Sequence, residues 1–329
     1  MTCDLDLSAD QRQILEAAAA MLETHYPVSR RRSGHADDLR ELAAFGALAL
    51  AMPDAVGGAG FSLVEETLLH VLLGRHLVSP RALAAAVGSR LAASSGDLGL
   101  AAAIVAGDAG VCAGMPARGG MLLVDRASAR LALVFGDREL TLLDIGKAVG
   151  EPATGLGRSV AIERLAGGAG PVRAQTREGA VLDLADLLVS AQLLGIAEAV
   201  RDLAVSYAQV RRQFGQPIGG FQAIKHHCAN MAIAAEMVSA QLDMAAIAAR
   251  DGRADAAFQV AALRHLAPAA ALGNARTAVQ VHGGIGFSAE ADVHHYLKQA
   301  HVLSRFGRPA DLLSLPAPLA PHTSLAERT

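Results

Sequence analysis

Tryptophan is missing from this 329-residue chain, and aromatic residues make up only 3% of it. An apolar fraction of 52% must therefore build its interior from Ala, Leu, Val and Ile, a composition suited to close helix packing. Cysteine is scarce too. Cys3, Cys112 and Cys228 have no CxxC spacing and leave one thiol over in any pairing, which argues against a disulfide scaffold and a zinc site and implies a reducing cytoplasm. Neither charge is in surplus: 29 Lys and Arg face 32 Asp and Glu, a formal net charge of -3. No basic field exists to hold nucleic acid or an anionic membrane. The start, MTCDLDLSADQRQ, carries acids where a signal peptide carries basic and then apolar residues. Uninterrupted apolar runs such as residues 43–52 are too short to span a bilayer. These absences predict a soluble protein of two or three packed units, because single cores stop growing at roughly 250 to 300 residues.

What is present is mostly helical period. Ser8 is an N-cap candidate ahead of Ile14, Leu15, Ala18, Met21 and Leu22, which recur at three- and four-residue spacing. Arg30, Arg31 and Arg32 interrupt as a solvated helix end before a second helix over 38–47. Ser62 and Glu65 form an S-x-x-E capping box for a third, and an Ala-rich fourth runs over 80–93. Short apolar runs at 120–125, 130–135, 140–144 and 172–175 then read as strands of a small antiparallel sheet. From residue 182 helical period returns, in three long helices reaching 212, 221–250 and 254–281, which predicts a bundle. The predicted organisation is an N-terminal helical domain at 1–102, a reduced middle β domain at 103–181, a helical bundle at 182–308 and a Pro-rich tail at 309–329.

Two glycine clusters, at 57–60 and 283–286, lie outside any βαβ unit, so a Rossmann site is not indicated. The segments SYAQVRRQFGQPIGGFQAIKHHCANM (206–231) and AVQVHGGIGFSAEADVHHYLKQA (278–300) are more specific. Together with RELAAFGALALAMPDAVGGAGFSLVEE (40–66), in that order along the chain, they resemble the acyl-CoA dehydrogenase flavoproteins. The resemblance implies a mainly α fold with a small antiparallel β middle domain and a C-terminal four-helix bundle, and FAD as cofactor. It also implies that Arg211, Gln213 and Phe214 of the R-x-Q-F-G pattern, with Gln280, Gly283 and Gly284, reach across an interface to the ADP half of a partner's FAD. The residue types suit such a contact, since a guanidinium pairs with pyrophosphate oxygens and glycines let backbone N–H groups approach an anion. Read alone, Arg211 is a solvated helix end and the glycines a helix-ending turn. Adjacent histidines at 226–227 and 294–295 point about 100° apart on a helix, so no metal is expected there.

The chain departs from the family where catalysis is done. α,β-Dehydrogenation of a thioester needs a carboxylate within reach of the α-proton. The resemblance places that base at position 307 or, in some members, at 185, which here hold Gly307 and Ala185. Asp183 and Asp186 suit the positive end of a helix dipole, leaving Asp186 and Glu290 as weak candidates for a displaced base. The loop that would border the flavin ring corresponds to residues 113–120 and lacks the family's pattern. The chain thus resembles the shortened, non-catalytic subunit of heteromeric α2β2 acyl-CoA dehydrogenases associated with bacterial degradation of steroid side chains and rings. That implies a heterotetramer in the cytoplasm, with a longer homologue as catalytic subunit holding most of the acyl-CoA. It also implies an electron-transferring flavoprotein as acceptor and a place in lipid and steroid catabolism. Two alternatives stand beside it: a homo-oligomeric dehydrogenase-like enzyme with Asp186 or Glu290 as base, and a flavin-free scaffold or acyl-CoA-binding protein.

Overall fold

The computed structural model describes residues 7–34, 37–153, 159–167, 170–177 and 179–309. Cys3 and the Pro-rich stretch from 310 onward lie outside the described residues. Helix α1 (Ala9–His25) starts at a reciprocal cap in which the Gln11 amide donates to Ser8 Oγ and the Ser8 amide to Gln11 Oε1. Helix α2 (Arg40–Ala44) is far shorter than the periodicity over 38–47 predicts, because the chain leaves helix at Phe45 and takes a left-handed turn at Gly46 (φ 80°). Helices α3 (Leu63–Arg75), α4 (Pro80–Ser94) and α5 (Leu98–Val105) follow, α3 opening on the expected Ser62–Glu65 box.

Seven strands form one sheet: β1 (Val111–Ala117), β2 (Gly120–Val124), β3 (Leu131–Phe135), β4 (Leu140–Asp144), β5 (Glu151–Pro152), β6 (Ile162–Ala166) and β7 (Val172–Thr176), in the order β5-β6-β2-β1-β3-β4-β7. The expected all-antiparallel pairing needs correction, since β1 and β3 run parallel while the other neighbours are antiparallel. After the β1–β2 hairpin, residues 125–130 cross to the far side of β1, so β3 takes up β1's direction there. Strand alternation then divides the side chains. Leu131, Leu133 and Phe135 join the core shared with the helices, whereas Cys112, Leu123 and Ala132 build a second small cluster on the other face.

The C-terminal third comprises α6 (Ala180–Val210), α7 (Gln222–Arg250), α8 (Ala256–His282) and α9 (Val293–Leu303), with a two-strand hairpin, β8 (Arg212–Gln213) and β9 (Gln216–Pro217), between α6 and α7. Helix α6 is the centre of the molecule and packs against α3, α4, α7, α8 and α9. By length and composition α6 and α7 are both apolar enough to cross a membrane, a property that uninterrupted runs alone miss; in this fold 83% of the apolar window of α6 is covered by its neighbours. Helices α3 and α6 meet through reciprocal glycines. A Cβ on Gly74 would strike the Gln192 carbonyl, and one on Gly195 the Val71 carbonyl.

Arg30 and Arg31 correct another expectation. They are not a solvated helix end: Arg31 is 2% exposed, and both guanidinium groups clasp Asp37 at 2.8 and 3.0 Å. The Ser79 amide at the start of α4 donates to the same carboxylate at 2.7 Å. Burial pushes the Asp37 carboxyl up, but the two guanidiniums and this amide outweigh it and hold the group below its ordinary value. The cluster pins the N-terminal segment to α4 and, through Arg31 and Ser79 on Asp125, to the end of β2. Arg32 alone faces outward, on Asp292 at 2.8 Å.

Candidate functional site

One end of the bundle gathers the six residues singled out for an anion. The last turn of α6 and the end of α8 are joined there by Tyr207 and His282, whose rings stack at 4.3 Å and 18°. Arg211, whose amide closes on the Tyr207 carbonyl at 2.9 Å, leaves the helix in extended conformation, and Gly283 directly follows His282. The β8–β9 hairpin turns through Phe214 (φ 51°) and Gly215 (φ 81°), both left-handed as a two-residue hairpin demands. For Phe214 that conformation costs on the order of 1 kcal/mol, and it leaves the ring 92% exposed beside the edge of Phe221. Arg211, Gln213 and Gln280 are exposed, and Arg211 makes no ion pair among the described residues. Nothing lies within 4 Å of a Cβ placed on Gly283 or Gly284.

This surface fits the ADP half of FAD on its own chemistry. An unengaged guanidinium, two bare glycine backbones, two side-chain amides and an exposed aromatic face suit pyrophosphate oxygens and a planar ring. Val210 and Ile285, 74% and 43% exposed, lie next to Arg211 and Gly284 in the chain and add apolar surface.

The base position is built differently. Gly307 is left-handed (φ 83°), and a Cβ there would clash with Asp186 Oδ1 and press on Arg264 Nε at 3.0 Å. Asp186 is 2% exposed and accepts from the Arg308 amide at 2.9 Å and from Arg308 Nε at 2.6 Å. Arg308 also reaches Asp183 at 2.5 Å. Behind the turn, Phe306 is fully buried and stacks on Phe135 at 4.7 Å, while Arg264 Nη2 donates to the carbonyls of Ser304 and Phe306. Burial pushes the Asp186 carboxyl up despite Arg308, yet both of its oxygens are engaged, so it is arranged as a clasp and not as a base open to substrate. The helix dipole accounts for Asp183 in the first turn of α6, whereas Asp186 lies beyond that turn and is explained by Arg308. Ala185 is packed in the core, and Glu290 is exposed on the bend before α9. Local sequence marks Arg308 only as part of the Gly307-Arg308-Pro309 run and gives no sign of Arg264, because their partners come from other elements.

Residues 113–117, expected to border a flavin ring, are β1 itself. They pair with β2, 111–114 also pair with β3, and the chain reverses through Arg118 and Gly119, so 113 and 114 are held on both sides by sheet neighbours. Among the described residues no three His, Cys, Asp or Glu side chains gather as a metal site.

Residues 8–120 match the acyl-CoA dehydrogenase N-terminal domain and residues 179–307 the acyl-CoA dehydrogenase C-terminal domain. Acyl-CoA dehydrogenase IpdE2 of Mycobacterium tuberculosis is 30% identical over 303 residues, covering 89% of this chain and 91% of that protein. Acyl-CoA dehydrogenase FadE34 of the same organism is 33% identical over 312 residues, 88% of this chain; the chain spans only 43% of FadE34. Among solved structures, a variant of the Tcur3481–Tcur3483 steroid ACAD superposes with a TM-score of 0.76 at 25% identity, over 93% of this chain and 96% of that one. The ChsE4–ChsE5 complex of M. tuberculosis does so with a TM-score of 0.73 at 23% identity, over 92% and 93%.

Proposed function

This chain belongs to the acyl-CoA dehydrogenase family, and from that membership we propose that it is the non-catalytic subunit of a heteromeric enzyme. The observation that carries this reading is a contrast within one chain. The surface that would serve a neighbour's FAD is open and chemically equipped, while the position of its own base is a glycine crowded by an ion-paired carboxylate.

FAD, the family's cofactor, supplies the acceptor for the hydride that leaves the β-carbon of an acyl-CoA thioester. Here Arg211 would pair with pyrophosphate oxygens, the Gly283 and Gly284 backbone would approach them, and Gln213 and Gln280 would add amide hydrogen bonds. Phe214 would cover a planar ring. Neither Gly307 nor Ala185 can take the α-proton and Asp186 is engaged by Arg308, so that step is assigned to a longer homologue, in an α2β2 assembly whose contact covers Val210 and Ile285. Two of the similar structures carry paired names, ChsE4–ChsE5 and Tcur3481–Tcur3483, the second called a steroid ACAD. They support a two-chain assembly, a steroid-derived CoA ester as substrate and a role in steroid catabolism. An electron-transferring flavoprotein is the proposed acceptor and the cytoplasm the proposed compartment.

The test is the FAD-to-protein ratio from visible flavin absorbance, for this chain alone and co-expressed with a longer homologue. A colourless chain that becomes part of a yellow, active complex is the expected result. Yellow chain alone, with turnover, would replace this reading by a homo-oligomeric enzyme; a colourless complex would replace it by a flavin-free scaffold.

A further inference from the structure

Away from the bundle end, the first turn of α9, Ser159 and the 3-10 turn that ends in Arg32 enclose a cleft of about 500 Å³. Its polar side chains are cationic or proton-donating. Lys298, Arg32, His294 and His295 line it, no carboxylate does among the described residues, and Phe287 gives it an apolar wall. Arg31 also borders it but is committed to Asp37 and Asp125, and Arg32 is held at the rim by Asp292. Lys298 makes no ion pair among the described residues; its Nζ donates to Ser159 Oγ at 3.2 Å.

Ser159 Oγ lies 2.7 Å from His295 Nδ1. Lysine has only protons to give, so the hydroxyl accepts from Lys298 and its own proton is available to Nδ1. The ring proton then stands on Nε2, which has no partner among the described residues although His295 is 5% exposed. Burial, with His294 and Lys298 nearby, pushes the imidazole down to about 4 and keeps it neutral. A buried donor without an acceptor costs about 1–3 kcal/mol unless something fills the place. Helix α9, eleven residues long, adds the positive end of its dipole, His294 and His295 lying in its first turn.

We propose that this cleft binds a phosphate ester carried on an apolar or aromatic body, with Lys298 and Arg32 as charge partners, His295 Nε2 as the buried donor and Phe287 against the body. Lys298 supplies the unpaired cation, and the open face of Phe287 favours an organic phosphate over the free ion. The proposal does not depend on the FAD reading, since Arg211, Gln213 and Gln280 do not line this cleft.

Isothermal titration of the full chain with AMP, inorganic phosphate and adenosine tests it, with 31P line broadening as a second readout. AMP binding more tightly than phosphate, and adenosine not at all, is expected. Lys298→Ala and Arg32→Ala should each weaken AMP by about tenfold or more, the value of a charge-assisted hydrogen bond, and Arg211→Ala should leave it unchanged. Binding of AMP that ignores Lys298 and Arg32, or no binding of either phosphate by chain whose circular dichroism is native, overturns the proposal. Equal affinity for phosphate and AMP overturns the part assigned to Phe287.

Discussion

Asp186 crowds the space that a side chain on residue 307 would need: its Oδ1 would clash with a Cβ on Gly307, and the same carboxylate holds the amide and guanidinium of Arg308. The turn can approach α6 this closely only because 307 is glycine, with a left-handed backbone that glycine alone adopts freely. Vacating the base position and clasping the turn are thus the same structural event.

Gly307→Glu, the substitution that would restore a base, is therefore expected to destabilise and not to activate. Overpacking costs about 1–3 kcal/mol and a left-handed non-glycine residue on the order of 1 more. Adding Asp186→Ser should recover part of the loss. Urea denaturation of the two variants measures this; full stability of Gly307→Glu alone would contradict the clasp.

The glycine contact between α3 and α6 predicts a non-additive pair. Gly74→Ala and Gly195→Ala each push a methyl into a backbone carbonyl that cannot swing aside, for about 1–3 kcal/mol. Once one alanine has separated the helices the second adds less, so the double variant should lose less than the sum. Gly273→Ala on α8, where nothing lies within 4 Å, is the control and should stabilise by about 0.5–1 kcal/mol.

Stability should fall with acid before the carboxylates titrate. His70 is wholly buried and accepts at Nδ1 from the Gln192 amide at 3.1 Å; burial, followed by the Arg90 charge, pushes it down to about 3. With its folded value below the unfolded 6.5, the unfolded chain takes up the proton first. The contribution is complete above that value and declines by about 1.4 kcal/mol per pH unit as pH falls toward the folded one. His70→Gln should flatten the slope between those limits, leaving the parts due to His76, His294 and His295, which burial also pushes down. Chemical denaturation across the range would show an unchanged slope if His70 were not the cause.

Arg211→Ala should leave the complex assembled but release FAD, because the ring contact remains while the charge partner of the pyrophosphate is lost. Flavin retained after gel filtration, expected to drop by about tenfold or more for a charge-assisted contact, is the measurement. Arg211→Lys should fall between, as a point charge cannot make the bidentate pair. Undiminished retention in Arg211→Ala would remove this residue from the site.

Local chemistry was readable wherever a few neighbouring residues decide the outcome. The caps at Ser8 and Ser62 and the long helices α6, α7 and α8 follow from spacing alone. β1 is not legible from sequence because VCAGMPA carries Gly and Pro and little β-branching, and its place comes from pairing with β2 on one side and β3 on the other. Arg30 and Arg31 look like surface in a run of three arginines; Asp37 and the Ser79 amide, which bury them, arrive from other elements.

By itself the sequence determined the helical period and which residues stand at 185, 211, 283, 284 and 307, because these depend on residue type and short spacing; that 185 and 307 are the places of a base is what the family resemblance implies. Only the tertiary structure decided what those positions became. It joined the two glycine- and arginine-bearing ends through Tyr207 and His282, and it brought Asp186 across 122 positions to Arg308. A carboxylate is a base or a clasp according to what fills its lone pairs, and that partner comes from the far end of the chain.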